Sequence, residues 1–115
     1  MYVNDKMVLQ LVALLKKFGI KKVVVSPGSR HNKLINSLET DGSFKLYLVV
    51  DERSAAFFAL GLIQECGEPV AVTCSSGTAC MNYGSAIVEA FYQRLPLIVL
   101  SSDRVPELLN QCEDQ

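Results

Sequence analysis

The sequence predicts an α/β fold, a doubly wound parallel sheet of about four strands with helices on both faces, giving a three-layer sandwich. Two observations favour it. Short apolar runs rich in β-branched residues alternate along the chain with segments whose apolar residues have helical spacing. These runs are nearly continuous, which is typical of strands buried on both faces. Right-handed crossovers then place helices on both sides of the sheet.

Local sequence signals set the expected bounds of the elements. Asn4 or Asp5 can cap a first helix, and Gly19 suits its end. The inner face of this helix carries apolar residues at helical spacing, namely Val8, Leu11, Val12 and Leu15. The other elements are predicted as strands over residues 22–26, 44–50, 69–74 and 95–101, and as helices over residues 31–38, 52–66 and 76–93. Residues 103–115 are predicted to form a polar loop or a short helix.

Composition narrows the class of protein. The chain has 115 residues, half of them hydrophobic, and a net charge of −1. We therefore expect one domain over residues 1–115 and no nucleic-acid partner. No apolar run is long enough to span a membrane. The cysteines lack metal-ligand spacing and any Cys-x-x-Cys pair, which favours a reduced, cytoplasmic protein: Cys66, Cys74, Cys80 and Cys112.

Polar and small residues follow each predicted strand. The four junctions are Ser26-Pro27-Gly28-Ser29-Arg30, Asp51-Glu52-Arg53, Cys74-Ser75-Ser76-Gly77-Thr78 and Ser101-Ser102-Asp103-Arg104. Because the carboxyl ends of parallel strands share one edge, these junctions are expected to lie together. Arginines, hydroxyl groups and helix N-termini at one edge favour an anionic ligand.

Glu52 has the most informative position. It lies between an apolar strand and a helix that is apolar on nearly every face. A carboxyl group in apolar surroundings has a raised pKa and can donate or shuttle a proton. The simpler interpretation is that Glu52 only complements the helix dipole. His31, the single histidine, is predicted to be a surface helix residue. A second subunit is a natural cover for the apolar helix.

In their order and spacing, these motifs resemble the N-terminal, pyrimidine-binding domain of thiamine-diphosphate enzymes. The helix that begins with Glu52 and the Ser76-Gly77-Thr78 turn point to this superfamily. The Pro27-Gly28-Ser29-Arg30 turn, together with the Asp-Arg-x-Pro-Glu-Leu motif at residues 103–108, resembles one branch of it. That branch is the 2-succinyl-5-enolpyruvyl-6-hydroxy-3-cyclohexene-1-carboxylate synthase family of menaquinone biosynthesis.

The resemblance implies a reaction and a set of site residues. The synthases decarboxylate 2-oxoglutarate on thiamine diphosphate and add the resulting succinic-semialdehyde unit to isochorismate. Glu52 matches the glutamate that binds N1′ of the cofactor pyrimidine and has a catalytic role. The turn of Ser76, Gly77 and Thr78 matches residues near the same ring. The residues implied in substrate binding are Ser29, Arg30, Arg104 and Gln115.

The resemblance also implies that the chain is the N-terminal part of a longer enzyme and is inactive alone. In the family, Mg²⁺ and the diphosphate are held by a C-terminal domain with a Gly-Asp-Gly motif, which is absent from this sequence, and no metal ligand is expected here. The family's active site lies between subunits, so a homo-oligomer, a dimer or tetramer, is expected. Two alternatives stay open: another thiamine-diphosphate enzyme, of acetohydroxyacid synthase or 2-oxoacid decarboxylase type, and a non-catalytic anion-binding or dimerising module.

Overall fold

The computed structural model describes residues 5–103, and these form a parallel four-stranded sheet between two helical layers, as predicted. The helices are α1 (Lys6–Lys17), α2 (Asn32–Asp41), α3 (Glu52–Cys66), α4 (Thr78–Met81) and α5 (Gly84–Gln93). The strands are β1 (Lys22–Val25), β2 (Lys45–Leu48), β3 (Val70–Cys74) and β4 (Leu97–Ser101). A 3-10 turn, Ser29–His31, precedes α2. Within residues 5–103, every helix is too short or too polar to cross a membrane.

The strand order is β2-β1-β3-β4, with every neighbouring pair parallel. The chain runs from β1 outward to β2, then returns to the other side of β1 to form β3. The loops after β1 and β3 therefore leave toward opposite faces of the sheet. In open α/β sheets, ligands bind at such a switch point, outside the carboxyl ends of the strands.

Each face of the sheet has its own hydrophobic core. On one face, α3 packs its small residues Ala55, Ala56 and Ala59 against Val24 and Val72. On the other face, α1 and α2 cover the strands with a second set of buried residues: Val12, Leu15, Leu34 and Leu38. Alternate residues of β1 and β3 serve the two cores, because successive strand side chains point to opposite faces. The sheet is thus buried on both sides, as the apolar runs predicted.

The predicted capping signals at two helices are confirmed. The Asp5 side chain accepts hydrogen bonds from the backbone N–H groups of Met7 and Val8 at the start of α1. Gly67 ends α3 in the left-handed conformation, at φ 69°, which favours glycine. The edge strand β2 is shorter than the predicted residues 44–50, and Leu48 at its end is 71% exposed.

The prediction of one helix over residues 76–93 is wrong. The chain forms two helices instead, α4 and α5, separated at Asn82 and Tyr83. The Asn82 side-chain amide donates to the Thr78 carbonyl oxygen at 2.8 Å, a local bond that competes with continuation of a helix. The break leaves the Tyr83 side chain fully buried in the core beneath α3.

Candidate functional site at the carboxyl edge of the sheet

The strands β1–β4 are parallel, so the junctions that follow them lie at one edge of the sheet. This confirms the predicted placement for the parts of the four junctions that the structure describes. The first junction is tied to its neighbours by hydrogen bonds. The Ser26 backbone N–H donates to the Thr73 carbonyl oxygen at 3.0 Å, and its hydroxyl donates to the Val49 carbonyl oxygen at 2.7 Å. Ser26 therefore joins the ends of β1, β2 and β3 into one surface.

Gly28 permits a close approach between the loops after β1 and β3. A Cβ atom at this position would lie 2.7 Å from Cβ of Ser75 and 3.4 Å from Cε1 of His31. Its backbone is extended, with φ −175°, so the requirement for glycine is steric rather than conformational. The two loops at the switch point are consequently packed against each other.

Glu52 is the first residue of α3, at the carboxyl end of β2. The preceding residue, Asp51, caps the helix by accepting the Ser54 backbone N–H at 2.8 Å, and this bond lowers the pKa of the Asp51 carboxyl group. Glu52 itself is half-buried. The two neighbouring acids thus differ in role, because one completes the helix end and the other lies at the edge of the core.

A buried pair of weak acids lies near Glu52. Burial is the main reason why the pKa of the Cys74 thiol rises to about 11 and why the pKa of the Tyr83 hydroxyl is raised above its usual value. The charge of Glu52 adds to both effects. Glu52 is therefore electrostatically coupled to the end of β3 and to the start of α5, and both neighbours stay protonated at neutral pH.

The Ser76-Gly77-Thr78 turn leads from β3 into α4. Gly77 has φ 67°, a left-handed conformation that favours glycine. Ser76 is buried and its hydroxyl has no hydrogen-bond partner among the described residues, whereas Gly77 and Thr78 are exposed. The turn thus presents an exposed glycine and an exposed threonine beside a buried hydroxyl.

The structure places part of the predicted substrate set at the same edge. Ser29 is exposed at the start of the 3-10 turn, and the backbone of Arg30 continues that turn. Arg104 and Gln115 lie outside the described residues. The structure therefore brings together, on one edge, the turn at Ser29, the helix start at Glu52 and the turn at residues 76–78.

The prediction that His31 is a surface residue is wrong. His31 is only 3% exposed, and burial lowers the pKa of its imidazole. The 3-10 turn that precedes α2 places the ring beside Gly28, where a Cβ atom would lie 3.4 Å from its Cε1 atom. The sequence did not indicate this burial, because a polar residue at the start of a helix, such as His31, is usually exposed. Thr73 and Tyr83, whose side chains are both fully buried at this edge, were also not singled out from the sequence.

Comparison with known proteins defines the family. Residues 6–114 match the family described as "Thiamine pyrophosphate enzyme, N-terminal TPP binding domain". The chain belongs to this family. Its carboxyl edge is therefore an edge of a thiamine-diphosphate enzyme domain, and the predicted resemblance to that superfamily is confirmed.

Curated relatives within this family carry the name of one enzyme. The chain is 49% identical over 115 residues to 2-succinyl-5-enolpyruvyl-6-hydroxy-3-cyclohexene-1-carboxylate synthase of Phocaeicola vulgatus, covering 100% of this chain and 21% of that protein. It is 46% identical over 114 residues to the synthase of the same name from Porphyromonas gingivalis, covering 99% of this chain and 20% of that protein. The chain thus spans about a fifth of the length of these relatives.

Solved structures give the same fold. Benzoylformate decarboxylase from Polynucleobacter necessarius superposes with a TM-score of 0.77 at 27% identity, over 92% of this chain and 20% of that chain. A putative thiamin diphosphate-dependent enzyme from Mycobacterium smegmatis superposes with a TM-score of 0.75 at 27% identity, over 84% of this chain and 18% of that chain. The predicted α/β sandwich is therefore confirmed as the fold of this enzyme family.

Proposed function

We propose that the chain is the pyrimidine-binding part of a synthase that decarboxylates 2-oxoglutarate and adds the resulting succinic-semialdehyde unit to isochorismate, in menaquinone biosynthesis. The observation that supports it is the 49% identity, over all 115 residues, to a relative named for this synthase. The decarboxylase superposes at 27% identity, so a 2-oxoacid decarboxylase is less favoured. The placement of Glu52 at a helix start on the ligand-binding edge is consistent with the proposal.

The described residues fit an aminopyrimidine ring. Glu52 is half-buried beside two protonated neighbours, Cys74 and Tyr83, so its carboxyl group lies next to groups that add no charge of their own. The buried Ser76 hydroxyl without a described partner gives the adjacent turn an unused hydrogen-bonding group. Thr78 and the exposed Gly77 complete the proposed contact surface for the ring.

Glu52 has the chemical role in this proposal. Thiamine diphosphate, when bound, supplies a nucleophilic carbon that attacks the carbonyl group of a 2-oxo acid. Glu52 would hold a proton at N1′ of the pyrimidine, as general acid–base catalysis requires of a carboxyl group within hydrogen-bonding reach. The proposed contribution of this chain is therefore to position the pyrimidine ring and to hold a proton on it.

We propose that the substrates are bound by Ser29, Arg30, Arg104 and Gln115. Both substrates carry carboxylates, and the arginine guanidinium matches a carboxylate in a bidentate way. Ser29 and the backbone of Arg30 already lie on the edge that carries Glu52. Mg²⁺ and the diphosphate group would be held by a separate C-terminal domain.

Assembly and location follow from the same proposal. The enzyme would be a cytoplasmic homo-oligomer, a dimer or a tetramer, and the isolated chain would be inactive. Support for association comes from the exposed apolar residues on the outer surface of α3 and α5, among them Phe57, Phe91 and Tyr92. The cysteines Cys66, Cys74 and Cys80 are free thiols, consistent with a reducing compartment.

Replacement of Glu52 by glutamine in the complete enzyme tests the proposal. The substitution keeps the shape of the side chain but removes the proton-holding group. We expect kcat to fall by at least about 100-fold, the usual contribution of a general acid or base. The urea midpoint should change little, because Asp51 forms the side-chain cap of α3 and Glu52 contributes only a small helix-dipole interaction.

The matched control is Glu65→Gln, which makes the same change at an exposed position of the same helix. This control should retain the full rate of isochorismate consumption. A rate near wild type for Glu52→Gln would contradict the assigned role. Loss of the preference for 2-oxoglutarate over other 2-oxo acids in the parent enzyme would favour a different thiamine-diphosphate reaction.

A further inference from the structure

A cleft of about 890 Å³ opens on the α1 and α2 side of the sheet, at the carboxyl ends of β3 and β4. Its volume lies in the range of small-molecule sites. The apolar part of its wall comes from the α1 and α2 layer and from the sheet, with Val8 and Leu11 of α1, Leu34 of α2 and Leu100 of β4. The shape therefore suits a ligand with an apolar body.

Polar residues line this cleft as well, and His31 and Thr73 are the buried ones among them. His31 is 3% exposed and Thr73 is fully buried, and both line the cleft. Among the described residues, the Thr73 hydroxyl has no hydrogen-bond partner and neither ring nitrogen of His31 makes a hydrogen bond of good geometry, although the Ser26 backbone interacts with the imidazole. Leaving a buried polar group unpaired costs about 1–3 kcal/mol. A ligand that supplies both partners would offset this cost.

The buried polar groups of the cleft lie on the opposite face of the sheet from the core beside Glu52, although Ser29, proposed above to bind substrate, also lines the cleft. Along β3, Val72 and Cys74 belong to the core under α3, while Ala71 belongs to the core under α1 and α2. Thr73 follows the same alternation as Ala71 and points to the α1 and α2 side. The Thr73 hydroxyl and the Cys74 thiol thus lie on opposite faces of one strand, so the cleft is not the site proposed for the cofactor ring.

The charges around the cleft favour a neutral ligand. Burial lowers the pKa of His31, so its ring is neutral at pH 7 and offers one donor and one acceptor. The Thr73 hydroxyl likewise offers one donor and one acceptor function. The ammonium group of Lys33 at the rim is 3.6 Å from the Asp5 carboxylate, which also lines the cleft. Asp103 lines the cleft as well, so a carboxylate buried against His31 and Thr73 would face two acidic side chains and a lysine that is already paired with Asp5, and burying it there is costly.

We propose that this cleft binds a small, neutral molecule with a hydroxylated end and an apolar body, whose hydroxyl group pairs with His31 and Thr73. A hydroxyl group both donates and accepts, which complements a neutral imidazole and a threonine side chain together. An ammonium group could not accept, and a carboxylate could not donate. The proposal concerns the two buried groups on the α1 and α2 side and does not depend on the role of Glu52, while Ser29 lies where this cleft meets the proposed substrate edge.

The test uses the whole 115-residue chain, with trans-1,2-cyclohexanediol as probe and cyclohexanecarboxylate as its anionic counterpart. Because the chain has one histidine, the imidazole ¹⁵N signals in an NMR titration report on His31 alone. The diol should cause saturable shifts of the His31 ring nitrogens and of the Thr73 amide. The carboxylate should bind at least about tenfold more weakly, in keeping with the cost of an unpaired buried charge.

Thr73→Val is the decisive variant, because valine keeps the shape of threonine and removes only the hydroxyl group. Its fold should persist, since the lost group has no described partner. The dissociation constant for the diol should rise at least about fivefold, as expected for one lost hydrogen bond. His31→Phe, which keeps a ring and removes both nitrogens, should weaken binding in the same way and serves as the second variant.

Ser37→Ala is the matched control. Ser37 also carries a buried hydroxyl without a described partner, but it does not line the cleft. The control should bind the diol as tightly as the parent chain does. The proposal is overturned if the diol gives no saturable shift, if both Thr73→Val and His31→Phe bind it unchanged, or if the carboxylate binds as tightly as the diol.

Discussion

At the scale of single residues, we expect His31 to make the chain sensitive to mildly acidic pH. In the folded state its imidazole is buried, and burial lowers its pKa below the ordinary value of 6.5. The unfolded chain, with the ordinary pKa, binds a proton more readily. Folding stability contributed by this residue is therefore complete above pH 6.5 and decreases as the pH falls toward the lowered pKa.

We expect the free energy of unfolding to decrease between pH 7.5 and pH 5.5, at a rate no steeper than about 1.4 kcal/mol per pH unit from this one proton. His31→Phe should remove most of that decrease, because phenylalanine does not titrate. Urea unfolding of both proteins at the two pH values measures the difference. Equal slopes for the two proteins would show that another group causes the acid sensitivity.

At the scale of elements, the close approach of two loops fixes the carboxyl edge. We expect Gly28→Ala to lower the free energy of unfolding by about 1–3 kcal/mol, the usual cost of overpacking. The added Cβ would be 2.7 Å from Cβ of Ser75, and both atoms are attached directly to the backbone. Urea unfolding measures this effect.

Gly61→Ala is the control for this substitution, because a Cβ at Gly61 would meet nothing within 4 Å and the residue lies within α3. Alanine there should be neutral or raise stability by up to about 1 kcal/mol, the difference in helix propensity. Ser75→Gly should restore part of the stability lost in Gly28→Ala. Equal effects of the two alanine substitutions would mean that the loops separate readily.

The sequence predicted the helices and strands correctly where a capping residue or an apolar run was the main signal. Asp5 at the start of α1 and Gly67 after α3 gave correct ends, and the apolar runs gave a parallel sheet. The break before Tyr83 was missed because apolar spacing continues through it, and only tertiary packing shows that this tyrosine must be buried. The burial of His31 was missed for the same reason, since the space beside Gly28 exists only once the two loops meet.

At the scale of the whole molecule, both helical layers leave large apolar side chains exposed, and most of the aromatic ones lie on α3 and α5. The outer surface of α3 and α5 carries several large apolar side chains, including Phe58, Val88, Phe91 and Tyr92. Phe91 and Tyr92 are 76% and 78% exposed and pack edge to face against each other. Exposed apolar side chains of this size are typical of interaction sites, and aromatic residues contribute most to such interfaces.

We therefore expect the chain to self-associate through α3 and α5. Phe91→Lys should weaken that association at least about tenfold, because it replaces an aromatic side chain at the interface with a charged one. Sedimentation equilibrium measures the change in the dimer dissociation constant. Met7→Lys is the control, since Met7 is 79% exposed but lies on α1, in the opposite layer. If Met7→Lys weakened association and Phe91→Lys did not, the interface would lie on the α1 side, and the apolar surface of α3 and α5 would need a different partner.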